Sequence, residues 1–252
     1  MTTPQALTWG ERQQQFYETR AHAHLRYSPT SLYATHLVER LLRAAQVQPG
    51  SDVLEVGCGA GRFTIPLLQR MQGVLTAFDF SEKLLGQLHE QLAISPMPPG
   101  NVCEVVAGDI DQLERLMGPN RFDAVIGFFF LHHLADLGAA VHQMRRVLRP
   151  HGRMVFIEPN RRNPLFVLQV LCCSDMKWSE ERGMFTLGRR KIRKAFCAEG
   201  MRAPTIETCG WFPPQILDGW PWTLGLQQRI ERLSMCRPIL PFRLISSMPV
   251  GP

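Results

Sequence analysis

The chain lacks any apolar run near the ~18 residues needed to cross a bilayer as a helix. Leu165 to Cys173 is the longest candidate in its C-terminal half. Internal repeats and low-complexity tracts are missing too, which excludes solenoid and fibrous architectures. No basic-then-apolar pattern opens MTTPQALTWGERQQQ, so a cytoplasmic protein is expected. The seven cysteines are odd in number and form no C-x-x-C pair. Adjacent Cys172-Cys173 suits neither metal nor disulfide, and most cysteines read as small buried apolar residues. The net charge of +6 is mostly arginine, and it is scattered. Without a basic stripe interleaved with aromatics, single-stranded nucleic acid is disfavoured as a partner.

At 252 residues the chain can hold one sizeable core plus a cap. Its most informative stretch is VLEVGCGAGRFT, Val53 to Thr64. Apolar Val53, Leu54 and Val56 surround an acid, Glu55, and run into Gly57-Cys58-Gly59-Ala60-Gly61. This reads as a buried strand entering a tight loop that approaches a ligand closely. Each glycine admits positive φ or removes a Cβ that would block that approach.

A glycine loop alone is weak evidence, but acids recur at the ends of the strands that follow. Gly73 to Phe78 stops at Asp79-Phe80, and Val102 to Ala107 stops at Gly108-Asp109-Ile110. Phe122 to Phe130 runs into Leu131-His132-His133-Leu134, and Arg153 to Ile157 stops at Glu158-Pro159-Asn160. Helix-like stretches separate these strands, predicting an α/β fold with a doubly wound, mostly parallel sheet. Ligands of such sheets bind beyond the carboxyl ends of the strands.

In residues 45 to 160 the order and spacing of these motifs resemble the class I S-adenosylmethionine-dependent methyltransferases. A glycine loop followed about 20 residues later by an acid would also suit a dinucleotide enzyme. However, the loop reads E-x-G-C-G-x-G rather than G-x-G-x-x-G, and Gly108-Asp109-Ile110 supplies the second acid of the methyltransferase pattern.

The resemblance implies a seven-stranded, Rossmann-like single domain: a helical cap at 1–45, a cofactor core at 46–160 and substrate-side insertions at 161–252. Strands at Thr205 to Thr208 and Leu240 to Ser246 would form an antiparallel pair at one edge. It also implies S-adenosyl-L-methionine as cofactor and S-adenosyl-L-homocysteine as product. Gly57, Gly59, Gly61 and the Cys58 amide would close on the methionine part, with Glu55 orienting the loop and the ammonium end. Asp79 would accept the ribose hydroxyls and Phe80 would lie against the adenine. Gly108 leads into Asp109, which would take the adenine amino group, and Ile110, which would pack on the ring. Phe128 would lie near the methionine or the transferring methyl.

The transfer needs mainly positioning of the acceptor at ~3 Å from the methyl carbon. A base matters only for an acceptor protonated at neutral pH. Candidates are His133, His132 and Glu158, then His22 or His24 of the cap, with Tyr17 and Tyr27 as closing residues. The fourth-strand exit, Phe128-Phe129-Phe130, cannot hold Mg²⁺, so no metal is expected. That exit also lacks the motifs of DNA amino methylation and of pyrimidine C5 chemistry.

All five tryptophans lie outside residues 45 to 160. Those of the late insertions (Trp178, Trp211, Trp220 and Trp222) suggest an apolar substrate chamber. The expected partner is therefore an apolar or aromatic small molecule. One alternative is a peripheral membrane enzyme acting on a lipid or isoprenoid-type substrate. Its docking face would be Arg189-Arg190-Lys191-Ile192-Arg193-Lys194, in a helix whose inward face is Leu187, Ile192, Ala195 and Phe196. A second alternative is a non-catalytic cofactor-binding partner protein.

Overall fold

The computed structural model describes residues 28, 31–163, 183–210, 214–232 and 240–251. Trp9, Tyr17, His22, His24, Tyr27, Leu165 to Cys173, Trp178 and Trp211 lie outside the described residues. The strands are β1 (Ser51–Val56), β2 (Gly73–Asp79), β3 (Val102–Ala107), β4 (Phe122–Phe128), β5 (Leu148–Pro159), β6 (Thr205–Cys209) and β7 (Phe242–Ser247). They form one sheet in the order β3-β2-β1-β4-β5-β7-β6. β1 to β5 run parallel, and β7 is antiparallel to both β5 and β6. The two late strands do form an antiparallel pair, with β7 inserted between β5 and β6.

The helices, in chain order, are α1 (Leu32–Ala45), α2 (Thr64–Leu68), α3 (Glu82–Ile94), α4 (Leu113–Met117), α5 (Leu137–Val147), α6 (Gly183–Thr186), α7 (Arg189–Ala198), α8 (Pro214–Gly219) and α9 (Thr223–Arg232). Sheet alternation sends successive side chains to opposite faces, where two cores form. Val53, Ile126, Val155 and Leu244 pack under Leu37, Val38 and Leu41 of α1. Leu54, Val125, Phe156 and Ile245 pack under Val141 and Met144 of α5 and Ile192 and Phe196 of α7. Leu37 and Leu41 have 1% or less of their surface in water, so truncating either to alanine costs about 2–5 kcal/mol.

Two local contacts explain the ends of elements. Ser31 caps α1 by accepting from Ala34 N, and its hydroxyl donates to Asp218 of α8, which also accepts from Tyr33 N. The cap thus binds the N-terminal helix to the C-terminal region. β4 ends at Phe128, two residues earlier than the apolar run predicts. Phe129 takes φ 55, a left-handed conformation that costs a bulky residue about 1–3 kcal/mol, and breaks the extended chain.

Candidate functional site

The chain reverses its direction of winding between β1 and β4, and the carboxyl ends of β1 to β4 open onto one crevice there. The glycine loop leaves β1 at this point. Gly57 N and Cys58 N donate to Phe78 O at 2.8 and 3.2 Å, tying the loop to the end of β2. Gly57 and Gly61 have φ of 71 and 88, and a Cβ on either would meet Phe130 at 2.4 Å or Leu88 at 2.6 Å. Above Gly59 the nearest atom to such a Cβ is 3.9 Å away, so the loop is open at its middle. The Cys58 amide, expected to face a cofactor, is committed to the strand instead.

Asp79 closes β2 with 6% of its surface exposed. One carboxylate oxygen accepts from Gly59 N and the other from Ser81 N, both at 2.9 Å. These bonds fix the plane of the carboxylate directly beside the open glycine. Glu55, one residue inside β1, is 1% exposed and accepts the Thr64 hydroxyl at 2.7 Å. Burial pushes its carboxyl up to about 8, the Thr64 bond opposing and Asp79 adding to the rise. The loop therefore rests on one buried acid that holds its proton at neutral pH.

At the next strand end, Gly108 N donates to Asp79 O at 3.0 Å. A Cβ on Gly108 would meet Leu116 at 2.5 Å, so this turn also requires glycine. Asp109 is exposed and accepts from Asp111 N at 3.0 Å, and Ile110 and Phe80 are half-buried. The residues expected to take ribose and adenine are thus brought to one edge, around Asp79.

Beyond β4 the chain turns through a cluster of aromatic rings. Phe128 stacks on Phe63 with ring centroids 4.1 Å apart and is almost wholly buried. The more accessible ring is Phe129, which also touches Phe63 and Phe242. With Tyr33 edge-on to Phe242 and the Arg62 guanidinium over both Tyr33 and Phe63, these rings form an aromatic nest below α1. Of the tryptophans expected to line a substrate chamber, Trp220 and Trp222 stand 58% and 70% exposed.

Glu158 is fully buried at the end of β5. One oxygen accepts from Phe130 N and Leu131 N at 2.9 and 2.7 Å, and the other meets His132 Nδ1 at 2.7 Å. It clasps the turn Leu131–His133 through these bonds. His132 is buried against it, whereas His133, half-buried and 4.0 Å from the His132 ring, is the accessible histidine.

Sequence reasoning missed Thr64, Phe63 and Arg62, although all three lie within the quoted stretch, because nothing there shows what they touch. It also missed Arg243, which pairs with Glu158 across the β5–β7 ladder. Arg243 donates to Pro159 O at 3.1 Å and Leu187 O at 2.6 Å. Burial lowers its guanidinium pKa, while Glu158 opposes that shift. Among the described residues no group of three His, Cys, Asp or Glu could hold a metal, and no helix is long and apolar enough to cross a membrane.

A family model described as a methyltransferase domain matches residues 53–152, the segment that carries every one of these strand-end motifs except the last acid. A demethylmenaquinone methyltransferase of Desulfitobacterium hafniense is 30% identical over 122 residues, which are 48% of this chain and 47% of that protein. The chain spans about half the length of the curated relatives it matches. The magnesium protoporphyrin IX methyltransferase of Synechocystis, solved with bound S-adenosylmethionine, superposes with a TM-score of 0.59 at 16% identity. That match covers 98% of this chain and 100% of the other. The phosphoethanolamine N-methyltransferase 2 of Haemonchus contortus gives 0.64 at 12% identity, covering 97% and 60%. Family model, motif order and sheet topology agree: residues 53–152 carry a methyltransferase domain, and the sheet has the fold of solved S-adenosylmethionine-dependent methyltransferases.

Proposed function

We propose that this protein methylates an apolar or aromatic small molecule, using S-adenosylmethionine and releasing S-adenosylhomocysteine. The observation that carries the reading is the open glycine at Gly59, bonded to Asp79 beside the Gly108–Ile110 turn. A carboxylate has two oxygens at the spacing a vicinal diol needs, so Asp79 is the residue that would take the ribose hydroxyls. Asp109 and Ile110 would receive the adenine, Phe80 would lie against it, and the Gly57–Gly61 backbone would hold the methionine part. The Glu55 carboxyl would support the loop from beneath and meet the ammonium end.

S-adenosylmethionine supplies a methyl group that is already electrophilic. The chain's contribution is then to place the acceptor in line and exclude water. Phe129 and the aromatic nest give an apolar wall at the strand ends, which supports an apolar acceptor. The relatives named for demethylmenaquinone support, more finely, a quinone of isoprenoid type. Should the acceptor carry a hydroxyl proton, His133 is the residue placed to take it, with Glu158 and His132 holding its turn. The phenylalanine exit of β4 supports transfer without a metal.

Labelled methyl from S-adenosylmethionine, offered with a panel of demethylated quinones and with a fractionated cell extract, tests this reading. Label in a quinone or another organic-soluble small molecule is expected. Label confined to RNA or protein, or failure to bind S-adenosylhomocysteine by calorimetry, overturns it.

A further inference from the structure

The outer face of α7 carries Arg189, Arg190, Lys191, Arg193 and Lys194, all exposed, while Ile192 and Phe196 anchor the helix in the core. Several arginines elsewhere are neutralised by acids. Arg40, Arg70, Arg121 and Arg146 pair with Glu231, Glu39, Glu104 and Glu114, and Arg149 pairs with Asp52 and Asp123. The five cations of α7 have no ion pair among the described residues, and the helix contains no acid. Their charge is of the same size as the net charge of the whole chain, +6. A solvated helix face would ordinarily mix signs to limit this self-repulsion.

The position of the helix matters as much as its charge. Its start is pinned to the carboxyl edge of the sheet, where Arg243 holds Leu187 O and Arg161 holds Phe185 O at 2.9 Å. Arg161, two residues past the end of β5, adds an exposed cation at that edge. The basic face therefore starts at the carboxyl rim and runs along the flank of the sheet toward its amino edge, where Met201 bridges Pro249. Its exposed residues include no aromatic ring on which a nucleobase could stack, which disfavours nucleic acid. A continuous single-sign face suits a fluid array of lipid phosphates, and an isoprenoid quinone resides in such a bilayer.

We propose that α7 docks the protein on an anionic membrane surface, setting the crevice against the bilayer from which the acceptor is drawn. This rests on the proposed acceptor class. Each basic residue close to an anionic surface strengthens attachment about fivefold, so removing four charges should weaken it on the order of several hundredfold.

The test compares the full chain with a variant carrying Arg190→Gln, Lys191→Gln, Arg193→Gln and Lys194→Gln, side chains that point away from the core. Co-sedimentation is measured with vesicles rich in phosphatidylglycerol and with phosphatidylcholine alone. The wild type should bind the anionic vesicles only and release them at high salt. The variant should lose that binding, yet keep its melting temperature, S-adenosylhomocysteine affinity and turnover of detergent-dispersed acceptor. Equal wild-type binding to both vesicles, or undiminished binding by the variant, overturns the docking role. So does displacement of the wild type from vesicles by equimolar single-stranded RNA, which would make α7 a polyanion site. Loss of S-adenosylhomocysteine binding or turnover by the wild type would instead refute the proposed function and leave the vesicle result to stand by itself.

Discussion

Glu55 has 1% of its surface in water, and its replacement by glutamine isolates the cost of burying that carboxylate. The folded protein raises this carboxyl from its ordinary 4.5 to about 8, mainly by burial. Between those two values the folded state holds a proton that the unfolded chain has released. Stability therefore falls as pH rises through this window, at up to about 1.4 kcal/mol per pH unit, and levels off above about 8. At pH 7 the accumulated loss is on the order of 3 kcal/mol. Glutamine keeps an oxygen to accept the Thr64 hydroxyl and carries no charge, so it imitates the protonated acid. Urea unfolding of wild type and Glu55→Gln at intervals from pH 5 to pH 8.5 reads the difference, and every other titrating group cancels between them. The variant should match the wild type near pH 5 and exceed it by about 3 kcal/mol at pH 7. Parallel stability curves would refute the assignment of a protonated Glu55 beneath the glycine loop. Ligand binding reads the same group from the other side. If Glu55 ionises to meet the ammonium end of the cofactor, S-adenosylmethionine affinity of the wild type should rise with pH below about 8, and that of the variant should not.

Asp79→Ala removes the acceptor of Gly59 N and Ser81 N as well as the proposed ribose contact, and should weaken S-adenosylhomocysteine binding by about 2–4 kcal/mol in calorimetry. Unchanged affinity would remove the ribose assignment. Gly57→Ala combines a φ of 71 with a Cβ 2.4 Å from Phe130, so denaturant midpoints should report a loss of about 1–3 kcal/mol. Arg243→Met leaves Glu158 buried without its opposing charge and should cost about 3–5 kcal/mol in urea unfolding; a neutral result would mean that Glu158 needs no counter-charge. Ser31→Ala deletes the α1 cap and its bond to Asp218, with an expected loss of about 1 kcal/mol in the same assay.

Particular elements show why some features were legible in the chain and others were not. β1 and its loop could be read directly, because a buried parallel strand must be apolar and a left-handed turn must be glycine. The inward face of α7 was legible for the same reason: Ile192 and Phe196 recur at helical spacing. A run of three phenylalanines does not tell which one leaves the strand. The left-handed Phe129 decided that, swinging the first ring onto Phe63. Glu158 carried two readings in the sequence, base or cap, and the bonds that the next turn makes to its carboxylate were not legible there.

By itself the sequence determined the fold class and the order of the strand-end motifs. Each of these follows from local periodicity and from residues with special backbone freedom. The tertiary structure decided which acid is neutral, which histidine is accessible and which aromatics form the apolar wall. It also left the α7 cations without an ion pair among the described residues and set Arg243 beside Glu158 in the β5–β7 ladder. Those outcomes depend on contacts between residues distant in the chain, where burial and partner geometry set the charge and exposure of a side chain. No local pattern encodes them.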